Sequence, residues 1–166
     1  MAESYCIASP PNSSYSTTPI NCFQVSCNSD QVASANCKCA YPYKGTIIFR
    51  ANFSLDFSYY RDLADSLNQT FKSYALPVDS VSLSNPTVDS SGNLELSLDV
   101  FPSGEESFNK TETTMVGFVI NSLIFNPPSL FGPFYLNAFA YGNYAGNSEF
   151  HAKLKSNSYY VCSILF

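Results

Sequence analysis

The chain has 166 residues and a net charge of −5, and only 13% of its residues are charged, against about a quarter in ordinary globular proteins. So little charge excludes a coiled coil or a long charged tail, and without a basic stripe no nucleic-acid partner is expected. Hydrophobic residues make up 45% and aromatic residues 16%, which suffices for one domain with a sizeable core.

The first predicted region, residues 1–39, is an irregular segment rich in Ser, Pro and Asn. Four cysteines lie close together in it: Cys22, Cys27, Cys37 and Cys39. The segment has too few apolar residues to offset its ordering entropy, so disulfides are expected to hold it. Cys37 and Cys39 are too close to bridge each other without strain. Each is therefore predicted to pair elsewhere, most simply with Cys22 and Cys27, and the connectivity stays open.

A zinc site and free thiols are the alternatives for these four cysteines. Their spacing, C-x4-C-x9-C-x-C, fits poorly with the C-x2-C-like pairs of zinc knuckles, so no metal is expected. The other two cysteines, Cys6 and Cys162, lie near opposite ends of the chain. Both are predicted to lack a partner in this cluster.

The next elements are a strand, a helix and a strand. The β-branched run at 46–50 predicts a strand. Apolar residues at three- and four-residue steps predict a helix over about 58–75, which Ser58 can cap. A second strand is predicted over 78–84, and the turn residues Asn85-Pro86 are expected to follow it.

The second half of the domain is predicted as a strand, a helix and a strand. Residues 94–100 alternate strictly between apolar and polar, which is typical of a strand with one buried face. Asn109 and Glu112 have the spacing of a capping box at the start of a helix over about 110–124. The aromatic-rich run 134–141 predicts the last strand.

This order, β-α-β-β-α-β, predicts an α+β fold, the ferredoxin-like split βαβ sandwich. Its extracellular variant is the SEA domain, which the order resembles. Self-cleaving SEA domains carry a Gly-Ser-hydrophobic turn between the second and third strands, and the corresponding turn at 85–92 lacks it, so no autoproteolysis is expected. The predicted division is a Cys-rich segment at 1–39, the sandwich at 40–145 and a flexible tail at 146–166.

No catalytic constellation is evident, so no enzyme activity, catalytic residue or cofactor is expected. The one histidine, His151, lies in the polar tail. Two acidic pairs are also present. Glu105-Glu106 is interpreted as part of a loop, and Asp62 with Asp65 as part of the solvent-exposed face of a helix. The sequence has neither of the glycine-rich phosphate-binding motifs.

The N-glycosylation motifs and the ends of the sequence indicate in which cellular compartment the protein is expected. Asn12, Asn52, Asn68 and Asn109 are candidate N-glycosylation sites. The first residues show no signal peptide, and no stretch approaches the length of a membrane span. A disulfide-type domain without an export signal is expected to be a fragment of a longer secreted or membrane protein.

Four blocks of sequence carry a resemblance to one protein family. The first is Cys37-Lys38-Cys39-Ala40-Tyr41-Pro42-Tyr43-Lys44-Gly45 followed by Phe49-Arg50. The others are at 76–81, 101–109 and 126–135. In order and spacing they resemble the ectodomain region of plant leucine-rich-repeat receptor-like Ser/Thr kinases between the repeats and the membrane, in the subfamily linked to hydrogen peroxide or quinone sensing. The resemblance runs from about residue 5 to about residue 144.

The resemblance implies a non-catalytic extracellular fragment of a plasma-membrane receptor kinase. It makes Cys22, Cys27, Cys37 and Cys39 candidate redox sensors and implies a partner for Cys6 upstream of this chain. It also implies an unknown extracellular ligand or co-receptor, with contact to the membrane only through parts of the parent chain that are missing here. A free-standing secreted binding or inhibitor protein with a tyrosine-rich surface is the alternative function, and a hydrolase is the third.

Overall fold

The computed structural model describes residues 15–17, 22, 25–50, 56–122 and 124–145. It is an α+β fold with eight elements in this part of the chain: β1 (Val32–Ala33), β2 (Cys39–Ala40), β3 (Tyr43–Phe49), α1 (Phe57–Ser73), β4 (Val78–Val88), β5 (Leu94–Pro102), α2 (Lys110–Asn121) and β6 (Phe134–Ala138). The predictions made for Cys6, Asn12, Asn52, His151, Cys162 and the tail at 146–166 lie outside the described residues.

Four strands form the main sheet in the order β4-β5-β3-β6, and every neighbouring pair is antiparallel. Strands β3 and β4, which α1 connects, are therefore parallel to each other, with β5 inserted between them. The short strands β1 and β2 form a separate antiparallel hairpin. The predicted order of strands and helices is thus confirmed over residues 43–138.

Strand β5 shows why the sheet has one buried face. Its apolar side chains at 94, 96, 98 and 100 are fully buried, whereas Glu95, Ser97 and Asp99 are half-exposed. The buried set packs in one cluster with Leu63, Leu67 and other apolar residues of α1 and α2. The predicted alternation is confirmed, because a strand places successive side chains on opposite faces.

The helix boundaries differ slightly from those predicted. Asp56, and not Ser58, caps α1, and its carboxylate accepts a hydrogen bond from the Ser58 N–H at 3.3 Å. The helix ends at Ser73, two residues early, because its C-cap is Tyr74. The capping box of α2 is confirmed by the reciprocal bonds between Asn109 and Glu112, although α2 ends at Asn121.

The strands are also longer or shorter than expected. The predicted turn at Asn85-Pro86 is wrong, since β4 continues to Val88 through a register shift between Ser84 and Thr87. The bulge accommodates a residue without an N–H, and Asn85 adopts a left-handed φ of 50° there. Strand β3 begins at Tyr43, β5 continues to Pro102, and β6 ends at Ala138 rather than at 141.

Residues 15–17 add a short antiparallel bridge to the outer edge of β4. The Thr17 N–H donates to the Leu83 carbonyl at 2.9 Å, and the Asn85 N–H donates to the Tyr15 carbonyl at 3.0 Å. The Tyr15 ring stacks on Phe57 at the start of α1, with ring centroids 4.2 Å apart. Residues 15–17 thus cover this edge of the sheet at residues 83–85.

Candidate functional site

The four clustered cysteines form two interleaved disulfides. Cys22 pairs with Cys37, and Cys27 pairs with Cys39, with Cα–Cα distances of 5.3 and 5.4 Å. The paired cysteines are 15 and 12 positions apart in the sequence, and the loops that they close overlap. Because every sulfur of the cluster is in a disulfide, none is a thiolate ligand for zinc, and the described residues contain no group of side chains able to hold a metal.

Ser34 organises the tip of the β1–β2 hairpin. Its side chain is buried, and its hydroxyl lies 3.3 Å from the Asn36 N–H and 3.4 Å from the Lys38 N–H. Its backbone carbonyl accepts from the Cys37 N–H at 2.9 Å, which closes the turn. Cys37 has a φ of 57°, in the left-handed region that disfavours a residue with a side chain. The turn and the disulfide together hold it there.

The disulfide-linked segment, residues 22–40, is attached to the sheet domain by more than the covalent connection through 40–42. The Gln31 side-chain amide donates to the Glu106 carboxylate at 2.8 Å, and the Asn36 amide donates to the Asp79 carboxylate at 2.9 Å. These bonds reach the loop before α2 and the start of β4. Both are exposed, so they position the segment more than they stabilise it.

Tyr141 forms a half-buried part of this junction. Its phenol oxygen accepts from the Phe108 N–H and donates to the Tyr41 carbonyl, both at 2.9 Å. Burial raises the pKa of Tyr141, and the hydrogen bond from the Phe108 N–H opposes that rise. The phenol is therefore the neutral donor that the Tyr41 carbonyl requires.

A cleft lies between the disulfide-linked segment and the residues that follow β6. It has a volume of about 360 Å³ and is lined on one side by Asp30 and Gln31 and on the other by Phe139 and Asn143, with Lys44 also present. Its groups can donate and accept hydrogen bonds.

The structure describes two of the four predicted glycosylation sites. Asn109 is exposed, and its Oδ1 accepts the Glu112 N–H in the capping box, which leaves the Nδ2 that a glycan would modify outside that bond. Asn68 is half-buried in α1, and its Oδ1 is buried without a hydrogen-bond partner. The two sites are therefore unequal, and Asn109 is the more accessible.

The predicted acidic pairs have different surroundings. Asp62 and Asp65 are exposed on α1, and Glu105 is exposed in the loop before α2. Glu106 is used as the acceptor for Gln31 and for the Tyr41 N–H through its backbone.

Ser34, Asp79 and Tyr141 are the residues of this junction that sequence reasoning missed. The partners of Asp79 and Tyr141 are distant in the sequence: Asn36 is 43 residues from Asp79, and Tyr41 is 100 residues from Tyr141. Spacing patterns report only near neighbours. The four clustered cysteines at 22–39 and the block similarity at 37–45 are the signals that point to the region.

The geometry defines a small α+β domain with a doubly cross-linked hairpin attached to one end. Over 145 residues, or 85% of this chain, the sequence is 31% identical to a protein of Arabidopsis thaliana described as a probable leucine-rich repeat receptor-like protein kinase. The chain spans 15% of the length of that relative. It is therefore related to a region of a plant receptor-like kinase.

The other comparisons add no relative. No protein-family model matches the chain, and no solved structure matches it significantly. Neither helix of the described residues is long and apolar enough to cross a membrane.

Proposed function

We propose that this chain is a non-catalytic extracellular domain of a plasma-membrane receptor-like kinase, next to the membrane in the parent protein. The observation that carries the proposal is the pair of interleaved disulfides within a region related to such a kinase. Disulfides form and persist in oxidising compartments such as the cell exterior. Glycans at Asn109 and the other sequons belong to the same proposal.

The domain's architecture is proposed to be the SEA-like split βαβ sandwich. Its support is the strand order β4-β5-β3-β6, in which β5 separates the two strands that α1 connects. Both helices contribute to the single buried cluster on one face of the sheet. Such a compact module is suited to spacing a binding region from a membrane.

Signal perception through the disulfides is the finer part of the proposal. Hydrogen peroxide would oxidise the two thiols of a reduced pair to one disulfide and would itself be reduced to two water molecules. The segment's exposed bonds to Asp79 and Glu106 would carry the change to the sheet domain. The half-exposed Cys37 and Cys39 favour access by such a small oxidant.

Two observations test the extracellular assignment. The genomic sequence around this coding region should encode leucine-rich repeats upstream and a membrane helix and kinase downstream. The full chain, made in a secretory pathway, should show the Cys22–Cys37 and Cys27–Cys39 peptides by mass spectrometry. Absence of the flanking segments, or four free thiols in the secreted protein, would overturn the assignment.

Hydrogen exchange tests the sensing role separately. A mild thiol should speed exchange of residues 25–39 while β3 to β6 stay protected, and peroxide should restore protection. In the matched control, Cys22 and Cys37 are replaced by Ser, so that only the Cys27–Cys39 disulfide is left to respond to the thiol and to peroxide. If only a strong reductant loosens the segment, the disulfides are structural and the sensing role is wrong, whereas the extracellular assignment stands.

A further inference from the structure

The two edges of the main sheet are treated differently. Residues 15–17 pair with the outer edge of β4, as described above. At the other end of the sheet, no backbone group of the described residues pairs with the outer edge of β6. An unpaired edge is a template for another strand, and monomeric proteins usually guard it with charges, prolines or bulges.

The open edge presents an alternating set of backbone groups. The Phe139 N–H donates to the Lys44 carbonyl, and the Arg50 N–H donates to the Pro133 carbonyl, both at 2.9 Å. In an antiparallel pair the bonded residues alternate, so residues 133, 135, 137 and 139 face β3. The N–H and C=O groups of Phe134, Leu136 and Ala138 therefore face outward.

Strand β6 and the residues next to it in the sequence carry no charge. From residue 113 to residue 148 the sequence contains no Asp, Glu, Lys or Arg. Tyr135 and Phe139 are 47% and 54% exposed, and Phe118 on α2, the helix that contacts β6, is 53% exposed. Strand β6 thus has apolar surface and hydrogen-bonding groups without a charge of its own, and the charged residues opposite its ends are Lys44 on β3 and Arg50 directly after β3.

We propose that β6 pairs with β6 of a second copy of this chain and so forms a two-fold symmetric dimer with one continuous eight-stranded sheet. About a two-fold axis at Leu136, that residue faces its own copy and Phe134 faces Ala138, so every outward donor meets an outward acceptor. On one face the large Phe134 is opposed to the small Ala138, and on the other Tyr135 faces Asn137. This self-complementarity favours a second copy over an unrelated strand.

Charge-paired variants of the full chain test the dimer. In the variant with Tyr135→Lys and Asn137→Lys, lysines from the two copies lie directly opposite each other, twice in each dimer. Sedimentation equilibrium from about 1 μM to about 1 mM, the range of weak complexes, should show wild-type dimers and roughly tenfold or greater weakening in this variant. The variant with Tyr135→Lys and Asn137→Glu should recover to within a few-fold of wild type, since opposite charges then face each other.

The matched control places two lysines on β4, at the opposite edge of the sheet, as Thr87→Lys and Val88→Lys, both at exposed positions. Each two-lysine variant changes the net charge from −5 to −3, so net charge alone lowers repulsion between copies equally in both. The control should dimerise like the wild type. Equal weakening in the control, or no recovery in the Lys–Glu variant, would overturn the β6 pairing.

Hydrogen exchange gives an independent readout of the interface. The amides of Phe134, Leu136 and Ala138 should gain protection with rising concentration, whereas those of Tyr135 and Asn137 should be protected throughout. A protein that stays monomeric at about 1 mM overturns the proposal. This holds whether its outward amides exchange fast, as on a bare edge, or slowly at every concentration, as they would if residues 146–166 occupied the edge.

Discussion

At the scale of single residues, Tyr141 joins two distant parts of the chain through one oxygen. Replacing it by Phe keeps the ring contact with Phe108 but leaves the Phe108 N–H and the Tyr41 carbonyl without a partner. A buried group left unpaired costs about 1–3 kcal/mol. Tyr141→Phe should therefore lower the free energy of unfolding by that amount in urea titrations.

The control for this prediction is Tyr144→Phe. Tyr144 packs edge-to-face on Tyr141, with ring centroids 5.3 Å apart, but its hydroxyl takes no part in the junction. Its loss should change stability by less than about 0.5 kcal/mol. Equal losses in the two variants would mean that ring packing, and not the hydrogen bonds, holds the junction.

Ionisation of Asp99 and ionisation of Asp89 should change the free energy of unfolding in opposite directions. Burial raises the pKa of Asp99 above 3.8, with Lys44 opposing the rise, so Asp99 costs stability as the pH rises through and above 3.8. Hydrogen bonds from the side chain and backbone of Asn93 lower the pKa of Asp89, so Asp89 adds stability above 3.8 that is lost as the pH falls.

Asn substitutions separate these two contributions. At pH 7, Asp99→Asn should raise the melting temperature and Asp89→Asn should lower it. The Asp99 difference should shrink towards zero near pH 3, whereas the Asp89 difference should be lost only as the pH falls through the lowered pKa of Asp89. Thermal unfolding by circular dichroism at these pH values measures this. A stabilising effect of Asp99→Asn that persists unchanged at pH 3 would show that side-chain packing, not ionisation, is responsible.

At the scale of elements, β5 shows which parts of the fold the sequence predicts well. Its apolar and polar side chains alternate, and the apolar ones are the buried ones, because a strand in a two-layer fold has one face towards the core. The ends of elements were predicted less well. Asp56 displaced Ser58 as the cap, and β4 passed through Asn85-Pro86, because tertiary pairing with β5 outweighed the local turn preference.

Strand β5 also carries a direct test of the register. Leu96 is fully buried, whereas its neighbour Ser97 is half-exposed on the other face. Leu96→Ala should cost about 2–5 kcal/mol through lost burial and a cavity, and Ser97→Ala less than about 0.5 kcal/mol. Urea unfolding measures both, and similar losses would contradict the assignment of the two faces.

At the scale of the whole molecule, the candidate site was only partly predictable. The sequence indicated four cross-linked cysteines, because a polar segment of that composition cannot order itself otherwise. It left the pairing open, and it could not show that Gln31 meets Glu106 or that Asn36 meets Asp79. Those contacts depend on how the hairpin lies against the sheet, which no local pattern records.

The contact of residues 15–17 with β4 predicts how the whole molecule assembles. A chain without residues 1–17 would expose the outer edge of β4 as well as that of β6. Pairing at two different edges has no closed form, so association should become open-ended. Sedimentation velocity should show a broad series of larger species, and a sharp dimer peak would contradict this. Tyr15→Ala, which keeps the backbone bridge, is the control and should stay dimeric.

The interleaving of the two disulfides has a mechanical consequence. With both intact, the shortest covalent path from Cys22 to Cys39 runs through one bridge and two residues. Opening the Cys22–Cys37 bond alone reroutes that path through Cys27 and lengthens it by only about three residues, roughly 10 Å when stretched. Opening both releases roughly 50 Å of slack. Under tension along the chain, the disulfide-linked segment therefore extends to its full length only when both disulfides are broken.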